Sequence, residues 1–325
     1  MISFKITKIL SYFLYYSKIL HFMLNKIDKN KITSQRFHQL MVKVYTSTNG
    51  VIFEKLFNDL EKLSNQDNKK LKSELLIQFN KLYEEGILIG EPLKNETLDN
   101  LLKTYKNDGY VVLPFKLEKE YCENIIQEIS KKPGVYRDCF DGQRIKNVNR
   151  LDIKNPGGIL AQVDLFEHSN SIIDRIMEVN LFGSIASYLM QSKRALLNIA
   201  TVWWSFPSSI ASSEAAQKYH FDLDGLKWGK IFIYLTDVTE KNGPHTAVMG
   251  SHNPRKKDIE ILKRGYVRVE DEEVEFGREK QFIGESGTII IGDTKCWHKG
   301  SLVQEDNRAI FQLEYTCHPV SSSIN

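Results

Sequence analysis

The residues with the clearest chemical meaning are His220-Phe221-Asp222, then His298, 78 positions after His220, and Arg308, ten beyond that. On an extended strand the side chains at i and i+2 point to one face, so His220 and Asp222 can offer an imidazole nitrogen and a carboxylate oxygen to the same ion. A distant histidine, His298, completes a set of three donors. Two imidazoles and one carboxylate on one face of a divalent metal leave three positions open, the donor set associated with non-haem Fe(II). Arg308 adds a fixed cation for an acidic co-substrate, because its planar fork matches a carboxylate and stays charged. A structural ion pair with Glu305 or Glu314 is the competing role for Arg308. Asp224 shares a strand face with Asp222, but it abuts Gly225, which interrupts strand geometry, so Asp222 is the preferred carboxylate.

These residues need elements to hold them. Gly225, Gly229 and the apolar run Ile231-Phe232-Ile233-Tyr234-Leu235 follow the first pair, which places His220 and Asp222 at a strand edge beside a turn. Asn242-Gly243-Pro244-His245 opens with a strong turn signal and leads through Val248-Met249 to Gly250-Ser251-His252. His245 reads as an exposed or packing histidine, and His252 as a turn stabiliser or a substrate contact. A strand bounded by glycines, Gly287 to Gly292, then delivers His298 on a short loop, and Arg308 opens the next strand. Further strands are expected over Leu197–Phe206, Lys230–Leu235, Thr246–Met249, Lys280–Ile283, Thr288–Ile291 and Arg308–Thr316, with one helical interruption at Ile172–Met190. Many short strands without alternating helices favour an antiparallel barrel or sandwich.

Upstream the period changes to helical. Leu56, Leu60 and Leu63, then Leu71, Leu75, Leu76, Phe79 and Leu82, recur at helical spacing on either side of the polar Asn65–Asn68 turn. Gly86, Gly90 and Pro92 end that pattern. They mark a boundary between a helical extension, 1–94, and a catalytic region, 95–320, followed by a short tail, 321–325. Within the second region Leu101–Asn107 and Lys119–Lys131 read as helices and Tyr110–Pro114 as a strand. Residues 253–282 carry Arg255-Lys256-Lys257 early and Glu270-Asp271-Glu272-Glu273 late, which fits a solvated insertion or a lid over the open metal positions.

The chain has 325 residues, with 42% hydrophobic and 26% charged, which excludes collagenous, disordered and multi-span membrane classes. Its 44 basic and 41 acidic residues nearly balance, which argues against a general nucleic-acid binder. The balance is uneven: residues 1–50 hold eight basic residues against Asp28 alone, +7, leaving −4 for the remainder. Ile6, Ile9, Leu10, Phe13, Leu14 and Leu20 recur at helical spacing there. Lys18 and His21 cut the apolar run too short to cross a bilayer, and no small-residue cleavage site follows. Such a basic amphipathic helix fits either packing on the rest of the chain or peripheral contact with an anionic membrane through residues 1–30. Cys122, Cys139, Cys296 and Cys317 show no metal-binding spacing, so thiols in a reducing, cytoplasmic compartment are expected.

Taken in order, Asn107-Asp108-Gly109-Tyr110-Val111-Val112-Leu113, His220-Phe221-Asp222, Asn242 to His252, and His298 with Arg308 resemble the phytanoyl-CoA dioxygenase family of Fe(II)- and 2-oxoglutarate-dependent oxygenases. The resemblance covers Leu101 to Cys317, and residues 1–94 have no counterpart in it. It implies an α+β protein whose mainly β core is a double-stranded β-helix, or jelly roll, with helices outside. It implies Fe(II) held by His220, Asp222 and His298, with 2-oxoglutarate clamped by Arg308 and O2 as the second co-substrate. Tyr234 matches an aromatic position that flanks the co-substrate. Thr201 falls where relatives place a glutamine, a departure in residue type, and Met249 replaces the usual proline before Gly250.

The resemblance implies a dioxygenase that hydroxylates a small organic molecule and releases succinate and CO2. Relatives that halogenate lack the carboxylate that Asp222 supplies. Trp203, Trp204 and Trp228 lie near the ligand strands as pocket-lining or core residues, and Trp203, Trp228 and His252 are the candidate substrate contacts. Two other functions compete: a cupin-type metalloenzyme that does not use 2-oxoglutarate, and a catalytically silent binding protein recruited to membrane by its basic N-terminus.

Overall fold

The computed structural model describes residues 68–317 apart from 139–141, 154–158, 165–170, 193–194, 214, 224–226, 265–267 and 275–276. The basic N-terminal helix, the Leu56 to Leu63 period, Cys139, Asp224 and the tail therefore lie outside the described residues.

Strict alternation along the strands builds the layers. In β8 (Trp228–Tyr234) Ile231 and Ile233 join one buried cluster, whereas Phe232 and Tyr234 join another. β11 (Ile289–Gly292) repeats the division, with Ile289 and Ile291 on one side and Ile290 on the other. β13 (Arg308–Thr316) does the same through Ala309, Phe311 and Leu313 against Ile310. A strand with both faces buried reads as a continuous apolar run, which is why these three segments are so hydrophobic.

They form the middle of an eight-stranded antiparallel sheet. Its order is β2 (Tyr110–Val112), β11, β8, β13, β7 (Leu196–Ser205), β6 (Ile159–Asp164), β4 (Pro133–Asp138) and β5 (Arg144–Asn149). A smaller antiparallel sheet, β10 (Glu279–Phe282), β9 (His245–Val248) and β12 (His298–Gly300), contributes Ala247 and Phe282 to the cluster on the inner face. The two sheets thus sandwich one core. A third sheet pairs β1 (Leu88–Gly90) with β3 (Phe115–Leu117).

Helices cover the outer face of the large sheet. α1 (Asn68–Glu84), α2 (Asn95–Asp108), α3 (Lys119–Ser130), α4 (Ser171–Val179) and α5 (Leu181–Leu189) bury Phe79, Leu98, Ile125, Ile176 and Phe182 in the same cluster as Ile231, Phe311 and Leu313. Phe79 meets Phe115 at 4.8 Å between ring centroids, so the described part of the N-terminal extension shares this core. Among the described residues no helix is long and apolar enough to cross a membrane. Cys122, Cys296 and Cys317 are free thiols.

The expected strands after residue 196 all form within two residues of their expected ends. The expected helix over 172–190 is instead two helices, because Asn180 adopts a left-handed conformation at φ 58° and serves as N-cap of α5. The described part of segment 253–282 is partly structured. It contains α6 (Lys256–Leu262) with Ile259, Ile261 and Leu262 buried, and it ends in β10 of the small sheet.

Backbone demands are concentrated at the turn entering β11. Gly287 has φ +88° and a Cβ there would lie 1.8 Å from the Leu117 carbonyl oxygen, whereas Gly86, at φ +73°, has nothing within 4 Å. Gly287→Ala is therefore expected to lower the unfolding free energy by about 3 kcal/mol or more, and Gly86→Ala by about 1 kcal/mol. Urea denaturation midpoints of the two variants test this, and equal losses would refute it.

Candidate metal centre

The centre is assembled by one antiparallel bridge. The His220 N–H donates to the His298 carbonyl at 2.9 Å and the His298 N–H donates to the His220 carbonyl at 3.0 Å. Residues that exchange both hydrogen bonds stand opposite one another and project to one face. Their imidazole centroids lie 4.1 Å apart. Asp222 follows at i+2 on that face, held by its own N–H to the Thr294 carbonyl at 3.0 Å. One donor atom from each of the three residues falls within 4.8 Å of the others, and all three residues are buried.

Both imidazoles are oriented for coordination. Nδ1 of His220 meets the Lys218 carbonyl at 2.9 Å and Nδ1 of His298 meets the Cys296 carbonyl at 2.9 Å. A carbonyl can only accept, so each Nδ1 carries the proton and each Nε2 presents a lone pair to the centre. Those Nε2 atoms sit 4.0 Å (His220) and 3.3 Å (His298) from the Asp222 carboxylate oxygens. The donor set fits a divalent ion: two neutral nitrogens, one anionic oxygen and fixed tautomers.

Electrostatics keep two of the donors, His220 and Asp222, in their binding-competent states. Burial pushes the His220 imidazole well below its usual pKa, reinforced by His298 and Arg268. Burial alone would raise the Asp222 carboxyl, but the charge of Lys230, with His298 and His220, holds it well below the usual carboxylate range. Lys230 Nζ donates to Asp222 Oδ2 at 2.7 Å and lies 3.3 Å from Glu314 on the neighbouring strand. Asn198 Nδ2 donates to the other Glu314 oxygen at 2.7 Å. A chain of polar contacts therefore runs Asn198, Glu314, Lys230, Asp222, leaving Asp222 Oδ1 as the oxygen without a lysine.

Arg308 lines the same cavity, which has a volume of about 220 Å³. It is 7% exposed, and only its Nη2 has a partner, donating to Ser205 Oγ at 3.1 Å, while Nε and Nη1 are buried without one. Burial lowers its pKa to about 10, so it remains a cation at neutral pH. Gly300 makes room for it, since a Cβ there would stand 3.2 Å from Nη2. A buried guanidinium with two of its three nitrogens unpartnered is costly. An acidic ligand would complete it.

The other candidates separate. Trp203 lines the cavity. Tyr234 is wholly buried, with its hydroxyl donating to the Phe282 carbonyl at 2.6 Å and accepting from the His245 N–H at 3.2 Å. Thr201 is wholly buried on the inner face, opposite Gln312, and its hydroxyl has no partner. Trp228 is buried with Nε1 donating to Thr294 Oγ1 at 2.8 Å, beneath the segment that binds the Asp222 amide. His252 contacts the Lys106 carbonyl at 3.1 Å and Cys296 Sγ at 3.5 Å, a turn position away from the lining residues. Its neighbour Ser251 accepts from the Trp297 N–H at 2.8 Å and so anchors the residue preceding His298.

Three charged lining residues, Lys230, Arg268 and Arg137, were not singled out from the sequence. Of the two roles expected for His245, exposed or packing, the structure shows the second: it is 5% exposed, meets the Tyr110 hydroxyl through Nε2 at 3.1 Å, packs against Phe232 at 4.5 Å between ring centroids, and is not one of the three clustered donors.

No family model and no curated protein matches the chain. Solved structures similar to it include the non-heme alpha ketoglutarate dependent epimerase SnoN from nogalamycin biosynthesis, at 17% identity and TM-score 0.46 over 71% of this chain and 88% of that one. HygX from Streptomyces hygroscopicus with nickel and 2-oxoglutarate bound is 15% identical, with TM-score 0.49 over 69% of this chain and 87% of its own. EvdO2 from Micromonospora carbonacea var. aurantiaca, complexed with 2-oxoglutarate, is 13% identical, with TM-score 0.48 over 72% and 95%. These likenesses are distant, and the chemistry of the site is read from its own geometry.

Burial also lowers the His245 imidazole well below its usual pKa. Both His220 and His245 thus stay neutral in the fold while the unfolded chain takes up protons near pH 6.5. Stability from this source is complete above that pH and is lost as the pH falls toward the folded values, by about 1.4 kcal/mol per unit for each histidine. Urea unfolding of the metal-free protein between neutral pH and pH 5 is expected to show this loss, with a shallower slope for His245→Gln. An identical slope in that variant would refute the assignment.

Proposed function

We propose that this chain is an Fe(II)- and 2-oxoglutarate-dependent oxidoreductase whose sandwich is a jelly roll and whose reaction is the hydroxylation of a small organic substrate. One observation carries the proposal: three buried metal donors and a buried arginine with two unpartnered nitrogens face a single cavity. The donors suit a metal with open positions. The arginine suits the remote carboxylate of a co-substrate that reaches that metal.

His220 Nε2, His298 Nε2 and one Asp222 oxygen would hold the iron. Lys230 keeps the second Asp222 oxygen occupied, which favours one-oxygen attachment and leaves positions free. Arg308 would bind the far carboxylate of 2-oxoglutarate, with Ser205 fixing the guanidinium plane. Iron with 2-oxoglutarate and O2 would supply oxidative decarboxylation to succinate and CO2, and with it an oxidant able to attack a C–H bond. Trp203, Phe232 and Ile310 line the cavity and limit water around the reacting groups. The fold's part is to fix one C–H bond of the substrate against the open side of the metal.

Anaerobic addition of Fe(II) and 2-oxoglutarate to the metal-free protein is expected to produce a weak visible charge-transfer band. Absence of the band at saturation would defeat the proposal. Arg308→Ala is expected to weaken 2-oxoglutarate binding roughly tenfold to a hundredfold, the loss of charge-assisted hydrogen bonds, while iron affinity is retained. Unchanged co-substrate affinity would remove Arg308 from this role.

A further inference from the structure

His245 is the histidine of the cavity that the donor rung leaves out. Its position is fixed at the backbone, where its N–H donates to the Tyr234 hydroxyl at 3.2 Å and β9 pairs it with Phe282 on one side and Gly300 on the other. Its ring plane is fixed by packing, with Phe232 at 4.5 Å and Tyr110 at 5.4 Å between centroids. The Tyr110 hydroxyl reaches Nε2 at 3.1 Å and has no other hydrogen-bond partner among the described residues. Tyr110 is 1% exposed, and a buried phenol proton left without an acceptor is costly. Nε2 is the acceptor in reach, so the phenol donates to it and the ring proton resides on Nδ1.

Nδ1 itself has no partner among the described residues and is not sealed in the core, so its N–H opens on the cavity that His245 lines. Burial keeps the ring uncharged, which makes it a neutral donor. The ladder brings this donor beside Arg308. Gly300 stands directly across from His245, and a Cβ at Gly300 would lie 3.2 Å from Arg308 Nη2. Directly paired residues share a face about 5 Å apart, so imidazole and guanidinium flank one part of the cavity. Arg308 offers Nε and Nη1 there without partners of their own. A carboxylate has two oxygens and more lone pairs than one guanidinium edge can fill, so a second donor from another direction completes it.

We infer that His245 Nδ1–H is a second donor, beside Arg308, to the remote carboxylate of the co-substrate, and that Tyr110 is the positioning residue that holds His245 in the donating tautomer. The inference rests on the oxygenase assignment for the identity of the ligand, whereas the tautomer and the pairing of His245 with Arg308 belong to the cavity itself.

The test uses the full chain loaded with Mn(II) and titrated calorimetrically with 2-oxoglutarate and with 2-oxobutyrate, which keeps the 2-oxo acid and lacks the remote carboxylate. His245→Leu is expected to weaken 2-oxoglutarate about tenfold or more, the margin of one charge-assisted hydrogen bond, and to leave 2-oxobutyrate unchanged. His245→Asn puts an amide N–H where Nδ1 stands and should restore most of the affinity, whereas His245→Gln puts its amide where Nε2 stands and should not. Tyr110→Phe frees the tautomer and should weaken 2-oxoglutarate while sparing 2-oxobutyrate. Mn(II) affinity of each variant reports whether the donor rung is intact; if His245→Leu loses it, the contrast between the Asn and Gln variants decides. In zinc-loaded protein labelled with 15N-histidine, the His245 proton is expected on Nδ1 and should move downfield when 2-oxoglutarate binds. Unchanged 2-oxoglutarate affinity without the imidazole, equal losses for both acids, or a proton on Nε2 would overturn the inference. Failure of the unaltered chain to bind 2-oxoglutarate would overturn the oxygenase assignment instead; the Nδ1 proton would then be followed with glutarate, and no shift there would overturn the role of His245 as well.

Discussion

The reciprocal hydrogen bonds between His220 and His298 are the constraint on which the site depends. They join segments 78 residues apart into one rung, and that rung fixes which way both imidazoles point. A one-residue slip in this pairing would send one imidazole to the opposite face and dissolve the donor set. The register is therefore guarded on both sides. His298 pairs onward with Ala247 of β9, Trp297 is fixed by Ser251 and by Asp258 at 3.2 Å, and Tyr219 bridges to Val269. The turn from Asn242 to His252 acts on the metal centre through this support. Gly243, where a Cβ would lie 2.4 Å from the Ser301 carbonyl oxygen, lets the two loops approach closely enough for β9 and β12 to pair.

Burying the rung creates an electrostatic problem that the neighbouring strands solve. Asp222 is 6% exposed and Glu314 only 1%, so two carboxylates share a low-dielectric region. Lys230 lies between them. Removing one member of such a buried set leaves a charge unpaired, typically at a cost of about 3–5 kcal/mol, which ties the shape of the metal site to the stability of the sheet. The arrangement is possible because β8 and β13 are neighbours whose alternation puts Lys230 and Glu314 directly opposite on the inner face. Their outer positions, Ile231 and Leu313, meanwhile enter the helix-covered core. One two-residue period thus serves the candidate site on one side and packing on the other.

That period also explains what could be read from the chain in advance. The central strands were legible because residues buried on both faces form long apolar runs, and His220, Asp222, His298 and Arg308 were legible because their residue types are scarce in such runs. The edge strands β4 and β5 were not. Arg144 to Asn149 carries two basic residues and two asparagines and presents four exposed positions in succession, so its strand state comes from the ladder with β4 and has no pattern of its own. Asn180 was a weak signal, since asparagine is among the few non-glycine residues at ease in the left-handed conformation that separates α4 from α5, but a single asparagine inside an apolar helical period does not by itself mark a break. Lys230 was hidden for a related reason: at a strand start a lysine looks like a boundary, and only the register with Gly292 and Glu314 shows it pointing inward.

The same register sets the division of the cavity. Moving along β13 from Arg308 through Ile310 and Gln312 to Glu314, the inward residues change from cation to apolar to polar to anion. Arg308 and Glu314 are six residues apart, about 20 Å of strand, so the sheet itself separates the Arg308 end of the cavity from the Lys230 end. The metal donors come from the opposing sheet and its flanking segment, between these poles. An acidic ligand at Arg308 would meet, farther into the cavity, any cation held by His220, Asp222 and His298. Co-substrate affinity should consequently depend on metal occupancy more strongly than metal affinity depends on Arg308, whose distance and partner in Ser205 leave the donor rung untouched.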